Sequence, residues 1–298
     1  MIRKIALFGQ TYYDDTQIYV SELIELVKRH KIQLSIEINY KNQLVNKNLV
    51  SESTPSFSSQ GTLDSDTDVL ITMGGDGTIL RGITYIGDSN IPILGINTGR
   101  LGFLATVQKS EINKAFSALL KGEFNCVNRT LLSVQSNPEI EELKEKNFAL
   151  NEISVARLNT ASMIGIETHL NNIYLTNYWA DGLIVSTPTG STGYSLSCGG
   201  PVIDRKSNSL VLTPIAPHNL NARPLVISNS TEITMKVEGR QEEFLISLDS
   251  RILNLKAGTT LTISKANFAI RIIELQDQTF YETLRSKLLW GEDTRNRK

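Results

Sequence analysis

Apolar positions along the chain change rhythm once. Through the first 125 residues, short continuous apolar runs alternate with helical spacings. Ile5–Phe8 and Val69–Met73 are unbroken runs of the kind that a parallel strand shows when both faces are covered. Val20, Leu23, Ile24 and Val27 fall at i, i+3, i+4, i+7, one face of a helix. Leu34–Ile38 alternates as a strand. Ile79, Leu80, Ile83 and Ile86 predict a short helix, and Ile91–Ile96 the next strand. A last helix begins near Ser110 as N-cap and runs through Ile112, Ala115, Phe116, Leu119 and Leu120 to Gly122. Strand, helix, strand in this order predicts right-handed crossovers and a parallel sheet. Ser51–Asp68 offers almost nothing apolar and is expected to be a mobile surface loop.

From about Cys126 the segments become short and alternating: Ile153–Val155, Met163–Leu170, Leu183–Val185, Leu210–Leu212, Ile233–Val237, Phe244–Leu248, Leu261–Ile263 and Phe268–Ile272. Turn residues separate them closely, which predicts an all-β, sandwich-like or barrel-like domain. Thr279 with Glu282 fits a capping box, followed by Leu284 and Leu288 on one helical face. The expected division is an α/β nucleotide-binding domain over 1–125 and a β-rich domain over 126–273. A terminal helix within 274–298 is expected to return to the first domain. No internal repeat is visible.

Charge and composition narrow the partners. Lys plus Arg number 30 against 31 Asp plus Glu, a formal net charge of −1, which argues against a nucleic-acid or acidic-membrane surface. Cys126 and Cys198 have neither metal-ligand nor disulfide spacing, as expected in a reducing compartment. The start MIRKIALFG is too short an apolar run for a signal peptide, and no stretch approaches the roughly 20 apolar residues of a membrane span. A soluble cytoplasmic protein is the expectation.

The candidate chemistry lies in glycine-rich segments. Gly74-Gly75-Asp76-Gly77-Thr78 follows the strand Val69–Met73. Bare backbone at a helix start attracts phosphate, yet Asp76 would repel it unless it meets a metal or takes a proton. The Walker A pattern and the dinucleotide G-x-G-x-x-G are both absent. The plain alternative is a tight turn in which Asp76 caps the helix through Thr78. A second segment, Thr187–Pro201 (TPTGSTGYSLSCGGP), offers hydroxyls, a tyrosine and glycines suited to sugars and phosphates. Ser191 fails the nucleophile-elbow pattern, and no histidine and acid are placed to activate it. Asn151-Glu152, immediately before a strand, reads by itself as a pair that caps or solvates a turn, and Asp181-Gly182 likewise as a turn before a strand. Gly95–Gly102 (GINTGRLG) is a turn-rich end of a strand of the parallel sheet, where open α/β sheets hold ligands. His30 and His169 read as structural or solvated, and His218 as equally a loop residue or a ligand contact.

Taken together, GGDGT (74–78), GINTGRLGFL (95–104), NE (151–152), Asp181 with GLIVSTPTGSTGYSLSCGGP (182–201), PHNLNARPLV (217–226) and the terminal TLRSKLLWG resemble the NAD kinase family, in that family's order through both halves. GGDGT alone is shared with diacylglycerol kinases, sphingosine kinases and phosphofructokinases; the long TPTGSTGYSLSCGGP segment is far more specific. The resemblance implies an α/β N-terminal domain with a parallel sheet, of the diacylglycerol-kinase and phosphofructokinase type, and a β-rich C-terminal domain. It implies phosphorylation of the adenosine ribose 2′-hydroxyl of NAD by ATP, or in some members polyphosphate, to give NADP. Mg²⁺ or another divalent ion is implied, as is a homodimer or homotetramer.

By the same resemblance Asp76 is the candidate general base, with Gly74, Gly75, Gly77 and Thr78 toward phosphate; Arg81, one turn into the helix, is equally a phosphate contact or an exposed helix cation. Asp76 and Gly77 would also meet NAD, and Asn151 and Glu152 would hold its adenosine part. Asp181 would contact the nicotinamide ribose, and Thr192, Gly193, Tyr194, Ser195 and Ser197 would line the dinucleotide cleft. Ser162 and Ala216 follow from the flanking segments. Two departures stand out. Gly193 occupies a position where many members carry alanine, a change expected to preserve packing. Asp249-Ser250-Arg251 replaces Asp-Gly-Gln, so that motif's role does not carry over. A lipid or sugar kinase, or a non-catalytic NAD(P) sensor on this scaffold, remains a rival at this point.

Overall fold

The computed structural model describes residues 2–10, 16–99, 102–158, 162–219, 221–238, 242–275 and 279–290. Arg100 and Leu101 of GINTGRLGFL, Leu220 of PHNLNARPLV and the terminal stretch from Gly291 lie outside them. The chain forms two compact units, one of residues 1–128 with 270–298 and one of 129–269.

In the first unit the strands are β1 (Lys4–Gly9), β2 (Gln33–Glu37), β3 (Ser56–Phe57), β4 (Val69–Met73), β5 (Ile93–Asn97) and β6 (Val107–Gln108). They pair in parallel in the order β3-β2-β1-β4-β5-β6, with Ile5 opposite both Leu34 and Val69, and Leu70 opposite Ile93. Helices α1 (Gln17–Arg29), α2 (Ile38–Asn46), α3 (Asp76–Ile86) and α4 (Ile112–Lys121) connect or flank them. Strand β4 explains its own unbroken apolar run. Val69, Ile71 and Met73 point into the core shared with α1 and α4. Leu70 and Thr72 face Gly82 of α3 on the other side. With both faces covered, every position is apolar except Thr72, whose buried hydroxyl donates to the Leu94 carbonyl at 3.5 Å. The expected parallel α/β sheet is therefore present.

Two local expectations are corrected, and one helix lacks a sequence counterpart. Ser51–Asp68 is not bare surface: Phe57 is 1% exposed and Leu63 8%, and β3 pairs with β2. Helix α4 is not capped by Ser110, which lies inside a 3₁₀ turn over Lys109–Glu111; the capping box there is Gln108 with Glu111. The left-handed stop at Gly122 (φ 72°) is as expected. Helix α2 has no counterpart in the hydrophobic pattern, because only Tyr40 and Leu44 anchor it. Glu37 begins α2 by accepting the Tyr40 N–H at 2.9 Å, and the Tyr40 ring lies so close over Gly9 that a Cβ there would collide with it.

The second unit carries β8 (Phe148–Ala149), β9 (Glu152–Arg157), β10 (Ile164–Leu170), β11 (Ile173–Ala180), β12 (Gly182–Ser186), β13 (Ser209–Ile215), β14 (Leu225–Ser228), β15 (Ile233–Glu238), β16 (Glu243–Leu248) and β17 (Arg251–Lys256), with the short helix α5 (Tyr194–Ser197). Strands β7 (Phe124–Asn137) and β18 (Thr260–Leu275) carry the chain from one unit to the other. One antiparallel sheet runs β14-β13-β12-β9-β16-β17. In another, β11, β10, β15 and β18 pair antiparallel. Alternate residues of the two sheets, among them Ile153, Val155, Leu183, Phe244, Ile166, Met235 and Ile263, share a single buried core. That is a sandwich built from period-2 patterning, as the chain predicts. Strand β11 (IYLTNYWA) escapes the pattern because Ile173, Tyr174 and Trp179 are exposed.

Helix α6 (Phe280–Leu288) begins with Thr279 and Glu282 in a reciprocal capping box. Within the first unit, Thr279, Glu282, Thr283 and Ser286 line a shared pocket with Thr106, Gln108 and Glu111.

Candidate active site

The site residues fall into two groups, one in each unit. In the first unit, β2 and β3 lie on one side of β1 and β4 on the other, so the order in which the chain adds its parallel strands reverses between β1 and β4. Open parallel sheets bind ligands at the carboxyl ends of strands flanking such a switch. Gly9 and Gln10 end one of these strands, and Gly74–Thr78 follows the other.

Gly74 (φ 155°) lies against Thr78, whose hydroxyl a Cβ would strike. Gly75 and Gly77 are exposed, and a Cβ on either would meet nothing within 4 Å. A phosphate can therefore approach both amides at the start of α3. Gln10 reaches the rim by donating from Nε2 to the Gly77 carbonyl at 3.0 Å. Arg81 is exposed one turn into α3.

Asp76 does not cap α3. Gly75 is the N-cap, with no side-chain bond. The Asp76 carboxylate turns instead into the segment after β5. Its Oδ2 accepts the Phe103 N–H at 2.7 Å, and its Oδ1 accepts those of Leu104 at 3.0 Å and Ala105 at 2.9 Å. Gly102 permits the approach, since a Cβ there would collide with Oδ1. Oδ1 thus has both lone-pair directions engaged, and Oδ2 keeps one free. Gly102 stands in GINTGRLG, which the sequence marks as a loop, but its pairing with Asp76 is visible only in three dimensions.

In the second unit, Asn151 and Glu152 open β9. Thr187 fixes them from the neighbouring loop: its N–H donates to the Asn151 carbonyl at 2.9 Å and its hydroxyl to that of Leu150 at 2.6 Å. Gly190 packs face-on against the Asn151 backbone, leaving no room for a Cβ. Asn151 Oδ1 and Glu152 Oε2 are buried without a hydrogen-bond partner. Burial, and then the neighbouring Asp249 carboxylate, push Glu152 up to about 8, against a pull downward from the Tyr194 N–H. Glu152 therefore presents a protonated carboxyl near neutral pH.

Asp181 sits between β11 and β12 and is paired with Arg157, a residue sequence reading passed over. Its N–H donates to the Ile215 carbonyl at 2.9 Å. Ala216, exposed, follows at once with φ 42°, a left-handed conformation that a non-glycine residue adopts at a cost of about 1–3 kcal/mol and that clusters at functional sites. Tyr194 is 45% exposed, and burial, Cys198, Asp181 and Glu152 raise its phenol, so these groups share one neighbourhood. Gly193 borders Glu152: a Cβ would stand 3.0 Å from Oε2 and 3.5 Å from Asn151 Nδ2. Thr192 is half-buried, with its hydroxyl donating to the Thr189 carbonyl, and Ser197 is exposed.

Ser195 departs from its expected role. It is fully buried, and its hydroxyl is paired with Thr213 at 2.8 Å, so it braces the loop rather than lining a cleft. Ser191 is likewise enclosed, donating to the Pro188 carbonyl and accepting the Ile203 N–H, which agrees with its failure as a nucleophile. Ser162 is half-buried just before β10. His218 is exposed, with its N–H donating to the Trp179 carbonyl.

A parallel sheet with an acid-bearing glycine loop at its switch point places the candidate site where open α/β folds bind ligands. The ATP-NAD kinase N-terminal domain model matches residues 6–124, and the ATP-NAD kinase C-terminal domain model residues 150–275. The NAD kinase of Flavobacterium psychrophilum is 53% identical over 293 residues, covering 98% of this chain and 100% of that protein. That of Porphyromonas gingivalis strain W83 is 40% identical over 294 residues, with 99% and 100% covered. Among solved structures, yeast NADH kinase complexed with NADH superposes with a TM-score of 0.87 at 22% identity, covering 100% of this chain and 90% of that one, a likeness of fold. An NAD kinase from Archaeoglobus fulgidus in complex with ATP gives 0.73 at 25% identity, covering 96% and 98%. The chain belongs to the ATP-NAD kinase family.

Proposed function

We propose that this enzyme is an NAD kinase that transfers the terminal phosphoryl group of ATP to the adenosine ribose 2′-hydroxyl of NAD, giving NADP. The observation that carries this reading is Asp76, fixed by three backbone amides beside the open glycines at the switch point. Phosphoryl transfer gains chiefly from alignment and charge compensation, and an immobile carboxylate serves the first. The free lone pair of Oδ2 would accept the proton that the 2′-hydroxyl releases as its oxygen meets phosphorus. Gly74, Gly75, Gly77 and Thr78 would present amides to the phosphates, with Arg81 as an added cation. Asp76 and Gly77 would also border the NAD ribose.

Asn151 and Glu152 would recognise the adenosine part of NAD. Their unpartnered oxygens support this, because a buried polar atom without a partner costs about 1–3 kcal/mol until a ligand supplies one. Asp181 would hold the nicotinamide ribose. Ser162, Thr192, Gly193, Tyr194, Ser197 and Ala216 would border the dinucleotide, and Ser195 would support them from behind. The first unit, with α6, would serve as the nucleotide-binding domain and the second as the NAD-binding domain.

Among the described residues no cluster of three or more His, Cys, Asp or Glu could cage a metal. A lone carboxylate beside a phosphate site fits magnesium arriving on the triphosphate, which keeps its waters and takes few protein ligands. Mg-ATP is therefore the proposed donor substrate. A homodimer or homotetramer is the proposed assembly, supported by the exposed Ile173, Tyr174 and Trp179 on β11. A cytoplasmic setting accords with two free cysteines, Cys126 and Cys198. No helix among the described residues is long and apolar enough to cross a membrane.

The test is NADP formation from NAD and Mg-ATP, read by an NADP-specific dehydrogenase, with wild type beside Asp76→Asn. NADP from the wild type and its collapse in the variant support the reading. NAD binding without any NADP would instead favour a sensor.

A further inference from the structure

The turn Asp249-Ser250-Arg251, which links β16 to β17, touches the same stretch of chain twice. Asp249 (φ 53°) directs its carboxylate at three successive amides, Leu150 at 2.9 Å, Asn151 at 2.8 Å and Glu152 at 3.2 Å, while its own N–H donates to the Glu152 carbonyl at 3.0 Å. Arg251 donates from Nη1 to the Lys146 carbonyl and from Nη2 to that of Phe148, with its guanidinium 5.4 Å from the centre of the Phe148 ring. One turn therefore accepts from the amides at 150–152 with a carboxylate and donates to the carbonyls at 146 and 148 with a guanidinium. Both polar edges of the segment leading into Asn151-Glu152 are occupied.

What this grip leaves over is specific. Asn151 Oδ1 and Glu152 Oε2 stay buried and unpartnered, although the backbone of both residues is saturated from Asp249 and Thr187. Fixed backbone with unpaired side-chain oxygens is the arrangement of a site organised before its ligand arrives. We propose that Arg251, together with Asp249, is a positioning residue for NAD: the turn holds Asn151 and Glu152 so that their free oxygens meet the adenosine moiety. This rests on the NAD-kinase reading of the site.

Arginine suits the task for two reasons. Its planar fork holds two carbonyls at once, which the single ammonium of lysine or the amide of glutamine does less well. Its charge also stands beside Asp249, whose ionised form burial disfavours. Without Arg251 the acid gripping Asn151-Glu152 loses its counterion and the segment loses its second anchor. Both losses fall on NAD recognition and neither on the phosphate loop.

The experiment is steady-state NADP formation by wild type, Arg251→Ala, Arg251→Gln and Arg251→Lys, titrating NAD at saturating Mg-ATP and then the reverse. Thermal melts with and without NAD accompany it. Arg251→Ala is expected to raise the NAD KM by roughly ten-fold, leave the Mg-ATP KM within about two-fold, and shrink the stabilisation that NAD confers. Arg251→Lys should recover part of the NAD KM. A merely structural arginine would lower the melting temperature and disturb both KM values alike, and that result overturns the proposal. An unchanged NAD KM in Arg251→Ala overturns it too. Should Arg251→Ala fail to fold, Arg251→Gln decides: a wild-type NAD KM there refutes the double grip, and a raised NAD KM alone supports it. A wild-type protein that makes no NADP refutes the NAD-kinase reading itself, so the two failures are separable.

Discussion

Arg157 and Asp181 are joined twice. The Arg157 backbone N–H donates to the Asp181 carbonyl at 2.9 Å, and its Nη2 donates to Asp181 Oδ2 at 2.8 Å. The side chains are only 23% and 29% exposed, so the pair is partly shielded from water. The backbone bond sets where Asp181 stands, and the guanidinium sets where its carboxylate points. Arg157→Ala should therefore raise the NAD KM several-fold with little change in kcat, since Asp181 loses its orientation but not its place. The stability loss should be modest, about 1 kcal/mol or less for a pair of this exposure. Steady-state kinetics and a thermal melt check both parts.

Asp76→Asn should do two kinds of damage. An amide nitrogen in place of one carboxylate oxygen sets donor against donor, at Phe103 or at Leu104 and Ala105. That mismatch is expected to cost about 1–3 kcal/mol. Turnover should fall roughly 10²–10⁴-fold as the proton acceptor disappears, while NAD still binds. A variant as fast as wild type would remove this carboxylate from the mechanism.

Glu152 makes stability and binding depend on pH. Its folded value of about 8 lies above the ordinary 4.5. Below about 4.5 both folded and unfolded chains hold the proton, and this group contributes no slope. Between 4.5 and 8 only the folded chain holds it, so stability should decline as pH rises. Above about 8 both have released it and the decline ends. A protonated carboxyl offers adenine a donor and an acceptor together, so the NAD KM should climb above pH 8. Glu152→Gln, which keeps both functions without a titration, should flatten that climb; a pH profile that stays parallel to wild type would contradict the assignment.

Gly193→Ala tests the border of the same carboxyl. The added methyl would stand 3.0 Å from Glu152 Oε2, closer than an oxygen and a carbon normally rest. The carboxyl must give way by a few tenths of an ångström, so the NAD KM should rise a few-fold with kcat preserved. An unchanged KM would mean that this face of Glu152 does not meet the ligand.

Much of the fold was legible beforehand because burial leaves a period in the chain. Both faces of β4 are covered, so Val69–Met73 reads as an unbroken apolar run; the sandwich strands are buried on one face and alternate. Elements anchored by two residues, as α2 is by Tyr40 and Leu44, or exposing apolar groups, as β11 does with Ile173 and Trp179, leave no such period. Two buried residues, Phe57 and Leu63, together with the pairing of β3 on β2, order a segment that composition marks as bare loop.

The site divides in the same way. Glycines around an acid and the long hydroxyl-rich loop stood out in the sequence by residue type and close spacing, whereas Asn151-Glu152 stood out only through the family resemblance. Which of them face inward did not: Ser195 and Tyr194 are neighbours, yet one is sealed against Thr213 and the other is open. Nor did the partners that aim them. Asp76 and the amides at 103–105, Asn151 and Asp249, Asp181 and Arg157 are separated by 24 to 98 residues. The sequence by itself determined which chemistry is available and which segments bury their faces, since both follow from residue type and local spacing. Only the tertiary structure decided which carboxylates are held, by which amides and guanidinium groups, because a hydrogen bond across the fold depends on where the backbone brings two segments and leaves no mark on the local pattern of either.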